Sequence, residues 1–239
     1  MIAAFFDIDG TIYRDSLLIE HFKKLIKYEL IDLNQYERKV KESYKLWDER
    51  KGDYDSYLQD LTTTYVEAIR GLSLQYNNFI ADQVLELKGN RVYKYSRDRI
   101  LWHKEQGHKV IFISGSPDFL VERMAKKMGA DDFIGSHYIT SEDKFTGDVK
   151  PMWDTPNKIR AINSFCEKYG LDLSKSYAYG DTNGDYGMLS LVGKPKAINP
   201  SKELIHNIKS NPDLAHRSEI IVERKDVIYH LTLDNVSVE

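Results

Sequence analysis

The sequence predicts an α/β fold, a mostly parallel sheet interrupted by a helical insertion, and three observations carry that prediction. Short apolar runs, IAAFF (2–6), KVIFI (109–113) and SYAY (176–179), are each bounded by turn residues, as suits strands buried on both faces of a sheet. After residue 90, helix-like and strand-like segments alternate, the order of a mostly parallel sheet with crossover helices. Between the first two apolar runs, residues 17–90 contain no proline and no strand signal, a stretch too long for an ordinary connection inside a compact sheet domain. The expected organisation is a Rossmann-like core of residues 1–16 and 91–239 with a helical domain of residues 17–90 inserted into it.

Each element has its own warrant. The first strand runs into DIDGT (7–11), where Asp-Gly beside apolar residues is a strong hairpin signal. In LLIEHFKKLIKYELI (17–31), Leu18, Phe22, Leu25, Ile26 and Leu30 recur near helical spacing. YDSYLQDLTTTYVEAI (54–69) repeats the pattern with Leu58, Leu61, Tyr65 and Ile69, and Gly52, Gly71 and Gly89 mark helix ends. A helix over YKYSRDRILWHKEQG (93–107) precedes the KVIFI strand, and a second over PDFLVERMAKKMG (117–129) follows it, with Ser116 as N-cap and Pro117 as first helical residue. DDFIGSHYITSEDKFTGDV (131–149) reads as extended. In WDTPNKIRAI (153–162), Thr155 reads as N-cap and Pro156 as first helical residue, so Lys158 falls in the first turn. EIIVERKDVIYHLTL (219–233) is strand-like, and no internal repeat interrupts the chain.

Composition narrows the partners. Thirty-four basic and thirty-seven acidic residues leave a formal net charge of -3, so no global field favours nucleic acid or an anionic membrane. The sixteen tyrosines lie mostly at helical spacing, as core rather than stacking platforms, and the seven histidines show no metal-ligand spacing. One cysteine, Cys166, forms no internal disulfide, and MIAAFF lacks a basic start and is cut short by Asp7; both point to a cytoplasmic protein without a membrane span.

The strand ends carry the chemistry. In an open parallel sheet, ligands bind beyond the carboxyl ends of the strands, so DIDGT, SGSP (114–117) and GDTNGD (180–185) are expected to meet in one crevice. Two like charges about 4 Å apart repel by roughly 4 kcal/mol at an effective dielectric of 20, so Asp7, Asp9, Asp181 and Asp185 together call for a cation. Oxygen ligands without His or Cys favour a hard ion such as Mg²⁺. Ser114 and Gly115, ahead of a helix N-terminus, supply a hydroxyl and backbone N–H groups for a phosphate. Lys158, a cation where the helix dipole disfavours one, points to an anion nearby.

These clusters, in this order, resemble the haloacid dehalogenase superfamily: DIDGT matches its first motif, Ser114 at a strand end its second, Lys158 its third and GDTNGD its fourth. The helical insertion between the first and second motifs is similar to that of the phosphoserine phosphatase-like branch with a helical cap. The resemblance implies Mg²⁺-dependent hydrolysis of a small phosphorylated metabolite. Asp7 would be the nucleophile that forms an aspartyl-phosphate, and Asp9 the general acid and base. Thr11, Ser114, Gly115 and Lys158 would grip the phosphoryl oxygens. Asp7, the Asp9 backbone carbonyl and Asp181 would hold the metal, with Asp185 positioning its waters or Lys158. Asp9, which the dehalogenases lack, favours phosphatase chemistry.

One position departs from the pattern. Where phosphoserine phosphatases of this kind carry a Glu nine residues after the nucleophile, this chain has Ser16, which turns the expectation toward another phosphomonoester. Specificity is expected from the helical cap and from Tyr13 and Arg14. Two other readings share the same residues: a phosphotransferase or mutase, and a phospho-aspartate switch of the response-regulator type. The sequence sets no oligomeric state.

Overall fold

A computed structural model describes residues 1–31 and 39–237; the part of the expected insertion at residues 32–38 lies outside the described residues. The described strands are β1 (Ala3–Phe6), β2 (Lys109–Pro117), β3 (Asp132–Ser141), β4 (Lys144–Lys150), β5 (Tyr177–Gly180), β6 (Lys194–Ile198), β7 (Glu219–Arg224) and β8 (Val227–Leu231). They form one eight-stranded sheet in the order β4-β3-β2-β1-β5-β6-β7-β8. The pairs from β3 to β7 are parallel, and the two hairpins, β3 with β4 and β7 with β8, add an antiparallel strand at each edge.

The helices are α1 (Leu17–Lys27), α2 (Lys39–Asp48), α3 (Tyr54–Ala68), α4 (Leu74–Lys88), α5 (Lys94–Glu105), α6 (Asp118–Met128), α7 (Thr155–Tyr169), α8 (Tyr186–Leu191), α9 (Lys202–Lys209) and α10 (Pro212–Arg217). Successive residues of β1 point to opposite faces, as the pleat requires. Ala4 and Phe6 join Val110, Phe112, Leu120, Met124 and Tyr179 on one side, where the ring of Phe6 stacks on Tyr179 at 4.1 Å. Ala3 and Phe5 join Ile111, Ile113, Ile162, Met188 and Leu204 on the other. Burial on both faces is why these strands read as continuous apolar runs instead of alternating ones.

Helices α1 to α4 share the first of these cores. Phe22, Leu25, Tyr57, Leu61, Tyr65, Ile80 and Val84 pack into it, and the ring of Tyr65 meets Tyr138 of β3 edge-on at 5.8 Å. Backbone bonds tie the same helices to the β3–β4 hairpin: the N–H of Gly71 donates to the carbonyl of Phe145 at 2.8 Å, and that of Leu74 to Asp143 at 2.8 Å. No helix among the described residues is long and apolar enough to cross a membrane.

Three local expectations shift. β2 continues through Ser116 to Pro117, and α6 begins at Asp118 with no side-chain cap, so Ser116 is not an N-cap; its hydroxyl bonds Asp9 instead. Asp154, not Thr155, caps α7, accepting from the N–H of Asn157 at 2.8 Å, because a carboxylate one residue earlier reaches the free amide. Helix α1 stops at Lys27, with Glu29 at a positive φ of 54°, which leaves Leu30 beyond the helix.

Inside this core, His21 is fully buried and its Nδ1 lies 2.9 Å from the Tyr65 hydroxyl. Burial pushes its pKa down to about 3 from 6.5, with a hydrogen bond to the Asn77 backbone carbonyl opposing. Between those values the unfolded chain takes up a proton that the folded chain refuses, so stability falls as pH drops through that window. From pH 7 to pH 5 this group alone removes about 2 kcal/mol, and the His21→Gln variant is expected to lose correspondingly less over the same interval in urea titrations.

Candidate active site

Three strand ends and one helix build the site. The N–H of Asp7 donates to the carbonyl of Tyr179 at 2.9 Å, which prolongs the β1–β5 pairing by one residue and sets the Asp7 carboxylate just beyond the sheet. β5 delivers Asp181, and the short turn at Asn183–Asp185 brings Asp185 back over it. Oδ2 of Asp185 accepts from the N–H groups of Asp181 at 3.0 Å and Thr182 at 3.2 Å. From α7, Lys158 Nζ donates to Asp7 Oδ1 at 2.8 Å and to Asp185 Oδ1 at 2.5 Å.

Asp7, Asp181, Asp185 and Lys158 are all buried. Burial raises the Asp7 pKa to about 8; Lys158 opposes the rise and Asp185 adds to it. Asp181 is raised as well, by burial first and then by Asp7 and Asp185. Burial by itself would lower the Lys158 pKa, but Asp185 and Asp7 beside it hold the proton more tightly than usual. One lysine against three carboxylates leaves the cluster short of positive charge. One oxygen from each of Asp7, Asp181 and Asp185 lies within 4.8 Å of the others, an all-oxygen donor set that fits a hard divalent cation.

Asp9 sits apart from that triad. Its Oδ2 accepts from the hydroxyls of Ser16 at 3.0 Å and Ser116 at 2.5 Å, and its Oδ1 from the N–H of Leu17 at 2.9 Å. Burial raises its pKa, and these three bonds pull it back. Ser16 also caps α1. The residue that departs from the expected Glu therefore joins the start of the insertion to the second acid of DIDGT.

The tight turn between them depends on Gly10. Its φ is +78°, and a Cβ placed there would come within 1.9 Å of Asp181 Oδ2. The hairpin signal resolves into this turn, closed by the N–H groups of Ile12 and Tyr13 on the carbonyl of Ile8, at 2.8 and 2.7 Å.

A cavity of about 570 Å³ opens on the site, lined by Asp7, Asp9, Ser114, Gly115 and Lys158 and by Tyr54, Asp55 and Leu58 of α3, among others. Thr11, expected at the phosphate, is corrected: its hydroxyl donates to Asp181 Oδ1 at 2.9 Å and its N–H to Ile8, so both donors are spent on the turn. Tyr13 and Arg14 also differ from expectation: Tyr13 is fully buried in the core, Arg14 lies over the Tyr93 ring, and neither lines the cavity. Ser116 reads from the sequence only as a helix cap, and Tyr54, Asp55 and Glu203 carry no sequence signal, since each is one of many such residues without a motif around it.

Residues 4–190 match the family described as haloacid dehalogenase-like hydrolase. The chain belongs to that family. It is 29% identical over 205 residues to the inhibition of morphological differentiation protein of Streptomyces azureus, covering 84% of this chain and 73% of that one. It is 25% identical over 210 residues to a histidinol-phosphatase of Neisseria meningitidis, covering 84% and 91%. A solved phosphoserine phosphatase with a phospho-aspartyl intermediate analogue superposes with a TM-score of 0.61 at 20% identity, covering 94% of each chain; at that identity the likeness is one of fold. The protein is an enzyme, and several of its relatives are named as phosphatases.

Gly10→Ala is expected to abolish hydrolysis of an aryl phosphate, because it displaces Asp181. Gly170 supplies the control: its φ is +60° and nothing lies within 4 Å of a Cβ there. Gly170→Ala should cost about 1 kcal/mol in urea denaturation through backbone strain alone and leave hydrolysis intact.

Proposed function

We propose that this protein is a Mg²⁺-dependent phosphomonoesterase that hydrolyses a small phosphorylated metabolite through an aspartyl-phosphate on Asp7. The observation that carries the reading is the Asp7 carboxylate, gripped by Lys158 at the base of a cavity that it shares with Ser114, Gly115 and a three-times hydrogen-bonded Asp9. The cavity's 570 Å³ suits a small-molecule substrate. Residues 1–16 and 91–239 serve as the catalytic core and residues 17–90 as a cap, a division supported by the insertion side chains that line the cavity.

Lys158 fixes one oxygen of Asp7 and leaves the other to attack phosphorus. As the Asp7 O–P bond forms, the bond from phosphorus to the leaving oxygen breaks, and Asp9 gives that oxygen its proton. The raised proton affinity of Asp9 favours a group that carries a proton to donate. In the second step a water attacks the aspartyl-phosphate, Asp9 takes the water's proton, and inorganic phosphate leaves with Asp7 restored. Ser114, the N–H of Gly115 and the Lys158 ammonium hold the phosphoryl oxygens. Mg²⁺, held by Asp7, Asp181 and Asp185 with the Asp9 backbone carbonyl, would offset the charge of a carboxylate approaching a phosphate dianion.

Ser16 already bonds Asp9 and caps α1, so the contact that a Glu there would make to a phosphoserine amine is missing. A different small phosphomonoester is the better substrate.

Asp7→Asn should reduce turnover of p-nitrophenyl phosphate by about 10³-fold or more, and near-normal turnover would remove Asp7 as nucleophile. EDTA should stop the wild-type reaction and added Mg²⁺ restore it; indifference to both would rule the metal out.

A further inference from the structure

The residues that would carry out the reaction occupy only part of the cavity lining. Asp55, in the first turn of α3, and Glu203, in the first turn of α9, line it too. Their carboxyl groups lie within hydrogen-bonding reach of each other, one from the insertion and one from the core. Glu203 is held in place: Asn183 Nδ2 donates to its Oε1 at 2.8 Å, and Asn207 Nδ2 donates to Asn183 Oδ1 at 2.7 Å. Burial first, then Glu203, pushes the Asp55 pKa up to about 7, with Asp53 and Asp185 adding to the rise.

Two carboxyl groups in contact are stable with a proton or a cation between them. Lys158 is the only cation among the described residues lining the cavity, and it is committed to Asp7 and Asp185. Tyr54 and Trp153 line the same space, and Trp153 remains 39% exposed. Aromatic residues beside carboxylates make a favourable setting for an organic cation.

We propose that Asp55 and Glu203 bind an ammonium group of the substrate, which makes that substrate the phosphomonoester of an amino alcohol. The proposal rests on the phosphomonoesterase reading and adds the substrate class. With the phosphate at Ser114, Gly115 and Lys158, a second anion on the same molecule would meet like charge at Asp55 and Glu203, whereas an ammonium would bridge them. A substrate carboxylate is therefore excluded by the same pair that accepts the amine.

The test compares 3-aminopropylphosphonate with butylphosphonate, of nearly equal length and differing in the terminal charge, by calorimetric titration into the full chain with Mg²⁺. The wild type should bind the amine about tenfold or more tightly, the range of a hydrogen bond to a charged group. Asp55→Asn and Glu203→Gln should each lower that ratio, and the double variant should bring it near one. Equal affinities in the wild type would overturn the proposal. So would variants that weaken both ligands alike and keep the ratio, the mark of a merely structural role. p-Nitrophenyl phosphate turnover separates the two readings: if it is absent while the amine preference and its loss in the variants persist, the phosphomonoesterase reading falls and the ammonium site stands.

Discussion

The buried contact of Lys158 with Asp7 and Asp185 is the interaction on which the rest of the site depends. Carboxylates leave water at high cost, and here Asp7, Asp181 and Asp185 do so within a few ångströms of one another. One lysine offsets part of the repulsion and orients Asp7 as it does so. On the proposed reading, the remaining deficit of positive charge makes the cluster a place for a cation and an attached phosphate. A site so arranged is poor at stabilising the fold and well suited to chemistry, which needs groups held in a geometry that they would not adopt alone.

Asp9 shows how the insertion is joined to that centre. Its carboxylate accepts from Ser16 and Leu17 at the start of α1 and from Ser116 at the end of β2. The side chain assigned to proton transfer is thus held from both sides of the cavity. The seam recurs at Asp55 and Glu203, where a carboxyl group from the insertion meets one from the core. On the proposed reading, chemistry and specificity both draw on residues from the helices between β1 and β2 and from the rest of the chain.

The sheet was legible because its strands are buried on both faces and so appear as unbroken apolar runs ending in polar clusters. Asp7, Asp181 and Lys158 were legible for the same reason: strand ends and a helix start put them where topology alone makes them converge. What the sequence did not reveal were contacts set by side-chain direction. Thr11 lies within the first motif, yet the Gly10 turn points its hydroxyl at Asp181. Ser116 looked like a helix cap, but β2 runs four residues past its apolar run, from Ile113 to Pro117, and the hydroxyl reaches Asp9. Asp55 and Glu203, 148 positions apart, are ordinary first-turn acids until the fold sets them beside one cavity.

The account stands on Asp7 forming a covalent bond to phosphorus. Acid quenching of the enzyme during turnover of a good substrate, followed by peptide mass spectrometry, tests that bond directly. A phosphoryl group on Asp7, absent from the unreacted enzyme, is the predicted result. Phosphate release with Asp7 unmodified at every quench time, and the phosphoryl group on another residue or on none, would contradict it.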